Sequence, residues 1–255
     1  MEFVRIIVSL LPMKETGSPR KKGLLFRWLL RILFGLAVCC VLLVLLFKWV
    51  PVRYTPVMLV RSVEYRHDPT FHTQKTWMPL DQFSPALLEA VIQTEDRLFG
   101  RHHGFDFGEI RKMWKEHREE GAPIRGCSTI SQQTAKNVFT FGSPSIVRKV
   151  LEVGWTLLIE WIWGKQRILE VYLNVVETGK GLYGFETAAQ VYYGIPASEL
   201  DVDQSLAIAS CLHNPTRYSP LDELDEEKRS KIAQRKRWLE TARARNRFPS
   251  WIYHD

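Results

Sequence analysis

Apolar residues run without a charge from Ile32 to Phe47 (ILFGLAVCCVLLVLLF), and extending the run to Leu29 and Val50 gives 22 positions. That length lets an α-helix cross a hydrocarbon core. No polar stripe interrupts the run, as one would in the buried helix of a soluble domain. Trp28 and Trp49 flank it at interface depth, and Arg31 and Lys48 stand where long basic side chains snorkel to headgroups. A signal peptide needs a small-x-small cleavage site after the apolar run, but this chain continues KWVPVRYTP. The pattern therefore predicts an uncleaved single-span anchor over 29–50.

Beyond the anchor, residues 51–78 hold three prolines and scattered charges without a helical period, so they read as a linker or small docking segment. At Ser84-Pro85 a hydroxyl cap precedes proline at the first helical position, and the pattern turns helical. Further helical stretches are predicted over 128–139, 146–163, 165–175, 184–193 and 203–212, and few segments alternate as strands do. The expected architecture is a mainly α domain over 79–220. A charged tail over 221–255 follows, acidic from Asp222 to Glu227 and basic from Lys228 to Arg247. That order complements a helix dipole, so the tail reads as a solvated helix.

Composition narrows the classes. The chain has 255 residues, 45% apolar and 25% charged, and a mean hydropathy of −0.16. These values exclude a multi-span membrane protein and a low-complexity chain. The net charge of +7 suits nucleic acid, an anionic membrane or a phosphorylated substrate alike. The four cysteines show no CxxC or Cys/His spacing, so no disulfide framework or zinc site is suggested. Lys14, Arg20, Lys21, Lys22, Arg27 and Arg31 precede the apolar run, against Lys48, Arg53, Arg61 and Arg66 after it. By the positive-inside rule, a basic tail over 1–28 is cytoplasmic and the remainder lies outside.

Three segments carry candidate chemistry. In the helix opening at Ser84, Leu88, Val91, Ile92 and Phe99 form an apolar stripe, and Glu89, Gln93, Asp96 and Arg97 a polar one. Glu95 falls on the apolar side, where partial desolvation suits a carboxylate to general acid–base work; a structural carboxylate held by a core cation is the alternative. In Gly126-Cys-Ser-Thr-Ile-Ser-Gln-Gln-Thr-Ala-Lys-Asn137, Ser128 can cap a helix. Ser128, Gln132 and Lys136 then share a face beside Thr129, Gln133 and Asn137. This is a wall of donors with one cation and no acid, fit for sugar hydroxyls or a diphosphate, or else a solvated face. In the third segment Arg148, Lys149 and Glu152 open a long apolar helix. They form either a surface i,i+4 pair or a buried acid beside two cations. Glu160 and Glu170 on the same rod read as structural pairs.

Together these segments resemble the peptidoglycan glycosyltransferases of family 51. The family's Glu-Asp-x-x-Phe-x-x-His-x-Gly appears as Glu95, Asp96, Phe99, His102 and Gly104. Its Gly-x-Ser-Thr-x-x-Gln-Gln appears as Gly126, Ser128, Thr129, Gln132 and Gln133, and Arg-Lys-x-x-Glu as Arg148, Lys149 and Glu152. Ile168 to Asn174, Gly181 to Ala189 and Asn214-Pro215 continue the order, so the match spans about 80–220. Cys127 stands where the family often has Gly, and Thr178 and Ile195 replace a common aromatic and a common Lys.

With only about 35 residues after this stretch, the chain looks most like the monofunctional biosynthetic transglycosylases. The resemblance implies a lysozyme-like helical glycosyltransferase domain behind a single N-terminal transmembrane helix, on the periplasmic side of the bacterial inner membrane. It implies polymerisation of lipid II in cell wall synthesis. The growing chain would pass from undecaprenyl pyrophosphate to the acceptor's 4-hydroxyl with inversion, Glu95 acting as general base and Glu152 as the second essential carboxylate. Ser128, Thr129, Gln132, Gln133, Lys136, Asn137, Arg148, Lys149 and His102 would bind substrate. No cofactor is required by this pattern, though a divalent cation, Mg or Mn, can accompany the pyrophosphate. Expected partners are lipid II, the lipid-linked glycan, the membrane and other cell-wall synthesis or division proteins, with no nucleic acid. The segment 107–125, amphiphilic and bearing Trp114, is expected to be mobile near the lipid face.

A lysozyme-like hydrolase also uses one partly buried Glu, but cleavage needs no diphosphate grip such as Lys136 with Arg148-Lys149. A catalytically idle scaffold would have no need of both Glu95 and Glu152.

Overall fold

A 31-residue helix, α1 (Pro19–Trp49), opens the described chain. The structure is a computed structural model describing residues 19–123, 126–141, 145–222 and 226–253. Within α1, Phe26–Trp49 has a mean hydropathy of 2.9, and among the described residues this is the one helix long and apolar enough to cross a membrane. Of the basic tail expected over 1–28, residues up to 18, Lys14 included, and the side chains of Arg20, Lys21 and Lys22 lie outside the described parts. From Pro19 its backbone is helix, as the strong helix formers Arg, Lys and Leu favour.

The chain divides into two compact units, the first ending at Leu43 and the second beginning at Val44. In the first, apolar side chains such as Ile32, Phe34 and Leu36 face outward, as a lipid-facing helix requires. In the second, the last turn of α1 is stitched to the domain. Trp163 Nε1 donates to the Val44 carbonyl at 2.7 Å, and Arg167 Nη2 donates to those of Phe47 and Val50 at 2.8 and 2.7 Å. Of these, the Phe47 carbonyl is one that a helix C-terminus leaves without a partner.

The segment expected as a linker is partly folded. Helix α2 (Pro56–Glu64) starts with Pro56 behind the Thr55 cap, where the fixed proline φ favours the first turn. Strand β1 (Gln74–Lys75) joins β2 (Glu177–Gly179) and β3 (Leu182–Tyr183) in a small sheet of order β1-β3-β2. β1 runs parallel to β3, and β2 antiparallel to it.

The remaining architecture is helical: α3 (Pro85–Glu95), α4 (Phe107–Glu120), α5 (Ile130–Phe139), α6 (Ile146–Ile162), α7 (Lys165–Val175), α8 (Phe185–Tyr193) and α9 (Val202–Cys211). α3 packs against α9, and α5 against α6 and α7. Leu88, Val91, Ile130, Ile159 and Ile168 fill the space between them, and the Phe139 and Trp155 rings stack at 4.4 Å. Segment 107–125 is helix as far as Glu120, with Phe107 and Trp114 exposed; its residues 124 and 125 lie outside the described parts.

The C-terminal tail is not a solvated helix. Helix α10 (Glu226–Ala244) buries Leu239 and Ala242, with Leu239 packing against Ala90 of α3 and Leu206 of α9. Arg243 Nε donates to Glu89 at 2.6 Å, and the Tyr253 hydroxyl donates to the same carboxylate at 2.8 Å. Glu89, Gln93 and Asp96, on the supposed polar stripe of α3, are all buried.

Candidate active site

Glu95 is the last residue of α3, and the residues after it fix where that helix stops. The Asp96 carboxylate accepts from His102 Nε2 at 2.9 Å and from the Ile130 amide at 3.0 Å. Gly104 has φ +91°, and a Cβ there would meet Thr156 Cγ2 at 2.9 Å, so glycine is required. Its carbonyl accepts from Thr129 Oγ1 at 2.7 Å. These bonds tie the end of α3 to the start of α5. His102, expected to touch substrate, instead turns its ring to Asp96 and the Gly104 amide.

Helix α5 begins one residue later than Ser128 would set it, because Thr129 is the cap. Thr129 and Gln132 form a reciprocal capping box and both are buried. Their polar groups build the helix, while Ser128 is exposed. The face left for chemistry carries Gln133, Lys136 and Asn137. Gln133 Nε2 donates to Glu95 Oε2 at 2.9 Å, and its Oε1 accepts from the buried Tyr172 hydroxyl at 3.3 Å. Tyr172 thereby fixes which end of the amide faces Glu95, a role that its appearance as one letter of the Ile168–Asn174 block did not reveal.

On α6, Glu152 is 3% exposed and shares a buried face with Thr156 and Ile159. Its chain neighbours Val150 and Leu151 are exposed. Arg148 Nε lies 3.3 Å from one carboxylate oxygen and Lys149 Nζ 3.2 Å from the other. This is a buried acid with two cations, not an exposed surface pair. Glu160 pairs with Lys165 at 2.6 Å and Glu170 with Arg167 at 2.7 Å, both structural as expected.

Electrostatics separate two roles. Burial pushes the Glu95 carboxyl up from its ordinary range, against the Gln133 hydrogen bond and the charges of Arg235 and His213, which pull it down. Burial pushes Lys136 down, with Glu152 opposing and Arg148 and Lys149 reinforcing. Glu95 is thus held above its ordinary range and Lys136 below its own, with the Glu152 charge opposing the fall of Lys136.

Two cavities meet here. One, of about 480 Å³, is lined by Gln133, Lys136, Asn137, Arg148, Arg61 and Glu177 among others. The second, of about 470 Å³, is lined by Glu95, Ser210, Lys231 and Arg235 among others, and His213 borders both. Arg61, Glu177, His213 and Arg235 were not singled out from the sequence. Only His213 carried a signal, standing directly before the Asn214-Pro215 match. Among the described residues no three His, Cys, Asp or Glu side chains gather as a metal site. Glu152 and Glu177 already face Arg148, Lys149 and Arg61.

The family model described as Transglycosylase matches residues 64–242, α10 included. The chain belongs to the biosynthetic peptidoglycan transglycosylase family. Enzymes of that description from several bacteria resemble it. That of Caulobacter vibrioides is 45% identical over 197 residues, covering 77% of this chain and 83% of the relative. That of Bacteroides thetaiotaomicron is 44% identical over 202 residues, covering 79% and 80%. That of Pseudomonas putida is 38% identical over 229 residues, covering 89% and 94%. The family match takes in α2's last residue, β1 and most of α10, which the motifs alone left outside.

Proposed function

We propose that this chain is a peptidoglycan glycosyltransferase that polymerises lipid II into glycan strands. The observation carrying the proposal is that Glu95 lines one cavity and is hydrogen-bonded by Gln133 of the adjoining one, which presents Lys136 and Arg148. The growing chain on undecaprenyl pyrophosphate occupies the Lys136 cavity as donor. The acceptor's 4-hydroxyl meets Glu95, which removes its proton as the oxygen attacks the anomeric carbon with inversion. Lys136, Arg148 and Lys149 receive the departing diphosphate charge. Glu152 orients Arg148 and Lys149 and opposes the downward pull of burial on Lys136. A divalent cation, Mg or Mn, fits this scheme as a passenger on the diphosphate. Gln133 and Asn137 hold sugar or phosphate oxygens, whereas Thr129, Gln132 and His102 act through the backbone they organise.

The domain over 79–220 would have a lysozyme-like fold. It would face the periplasm, held by the 29–50 anchor in the inner membrane, where both lipid-linked substrates diffuse in two dimensions and other cell-wall synthesis or division proteins are within reach. The test incubates detergent-solubilised protein with labelled lipid II and separates the glycan products by gel. Glu95→Gln should fold normally and lose about 10²–10⁴-fold in rate, the range for a general base. Near wild-type polymer from that variant would remove Glu95 from the role.

A further inference from the structure

Helix α10 presents one face to the domain at four-residue spacing: Lys231, Arg235, Leu239 and Arg243. Leu239 is fully buried and Arg243 reaches Glu89. Between these fixed points and the end of the row, Lys231 and Arg235 line the cavity that also holds Glu95. Arg235 is half-buried, and its Nη1 donates to Ser210 Oγ on α9. Among the described residues no carboxylate lies within 4.0 Å of it. Lys236 and Arg243, on the same helix, are paired with Asp203 and Glu89. Burial works against the charge of Arg235, and the more distant Glu95 only partly opposes that. A desolvated cation with no carboxylate in contact is costly to keep, and the cost is recovered when an anion arrives.

The lipid II reading supplies that anion. Donor and acceptor each carry a diphosphate, and the donor's is taken by Lys136 and Arg148 in the other cavity. A second diphosphate arriving on the acceptor needs a second cation. A guanidinium can offer two parallel donors to oxyanion oxygens, and one of Arg235's five is occupied by Ser210.

We propose that Arg235 is a substrate-binding residue, holding the diphosphate of the lipid-linked acceptor while Glu95 faces that acceptor's hydroxyl. The proposal rests on the lipid II reading above. It makes the C-terminal helix a wall of the active site.

The test uses the full chain in detergent, a preformed lipid-linked glycan as donor, and two acceptors. One is a short-chain lipid II; the other is the same disaccharide-peptide with a neutral alkyl group replacing the diphosphate. Arg235→Ala should raise KM for the diphosphate acceptor about tenfold or more, as loss of a charged hydrogen bond implies. It should leave the KM for the neutral acceptor near wild type, and Arg235→Lys should recover most of the loss. If the alanine variant does not fold, Arg235→Gln, which can still bond Ser210, should give the same KM pattern. Equal changes with both acceptors, no change with either, or only a displaced pH profile would overturn the proposal. Wild-type protein that extends neither acceptor overturns the lipid II reading as well. Wild-type turnover with an unaltered KM in the variants overturns the Arg235 assignment alone.

Discussion

Replacing Glu152 by Gln keeps the shape of a buried side chain and removes its charge from beside Arg148 and Lys149, at 3.3 and 3.2 Å. At an effective dielectric of about 20, each contact corresponds to roughly 5 kcal/mol of Coulomb attraction. Most of that is cancelled by the desolvation of Glu152, and the half-exposed Lys149 is screened by water. Breaking a buried pair from one side costs about 3–5 kcal/mol and an exposed pair about 0–1. This site lies between, so a loss of about 2 kcal/mol of stability is expected. The pH dependence is the sharper readout. Lys136 is already held below the ordinary lysine range by burial, and the Glu152 charge holds it up. In Glu152→Gln, Lys136 therefore gives up its proton at lower pH. The alkaline limb of the rate profile should move toward neutrality, while the acid limb, set by Glu95, stays. Lipid II polymerisation followed from neutral to alkaline pH checks this. A loss of the same size at every pH would refute the coupling of Glu152 to Lys136.

Lys136→Ala should reduce lipid II turnover by about 10²-fold or more, the scale of a group stabilising charge in the transition state. Arg101→Ala, at an exposed position, should leave turnover nearly unchanged; equal effects would reduce Lys136 to general charge. Arg243→Met strands the Glu89 carboxylate, 1% exposed, with Tyr253 as its remaining hydrogen-bond donor. Discounted for the exposure of Arg243, the cost is about 2 kcal/mol, a drop of about 4–8 °C in melting temperature. Lys236→Met, which breaks an exposed pair with Asp203, should leave the melting temperature where it is, and identical unfolding curves for the two variants would contradict this account.

The helices that carry the motifs were legible because apolar residues recur at 3.6 along them. The stretches expected over 128–139, 146–163, 165–175 and 184–193 match α5 to α8 within a residue or two. Helix α2 was missed because the three prolines of 51–78 were read as breakers, although Pro56 behind Thr55 is a helix start. Glu95 was legible from its place on an apolar face, and burial does raise its pKa. Thr129, Gln132 and His102 looked like substrate ligands because motif letters do not distinguish a side chain that reaches outward from one that fastens its own backbone. Arg235 was illegible for a different reason. Its position beside Glu95 depends on α10 folding back across more than a hundred residues, and the helix's abundance of charge hid the Leu239 and Ala242 that hold it there.

The ion pair beneath α3 also bears on the order of assembly. Glu89 finds its partners 154 and 164 residues further along the chain, so while a nascent polypeptide is still emerging the acid has no counter-ion and its burial is opposed. Contacts of such long sequence separation close late and slowly. The burial of Glu89, on the helix that ends in Glu95, thus gains its compensating partners only when the segment around Arg243 and Tyr253 has been made.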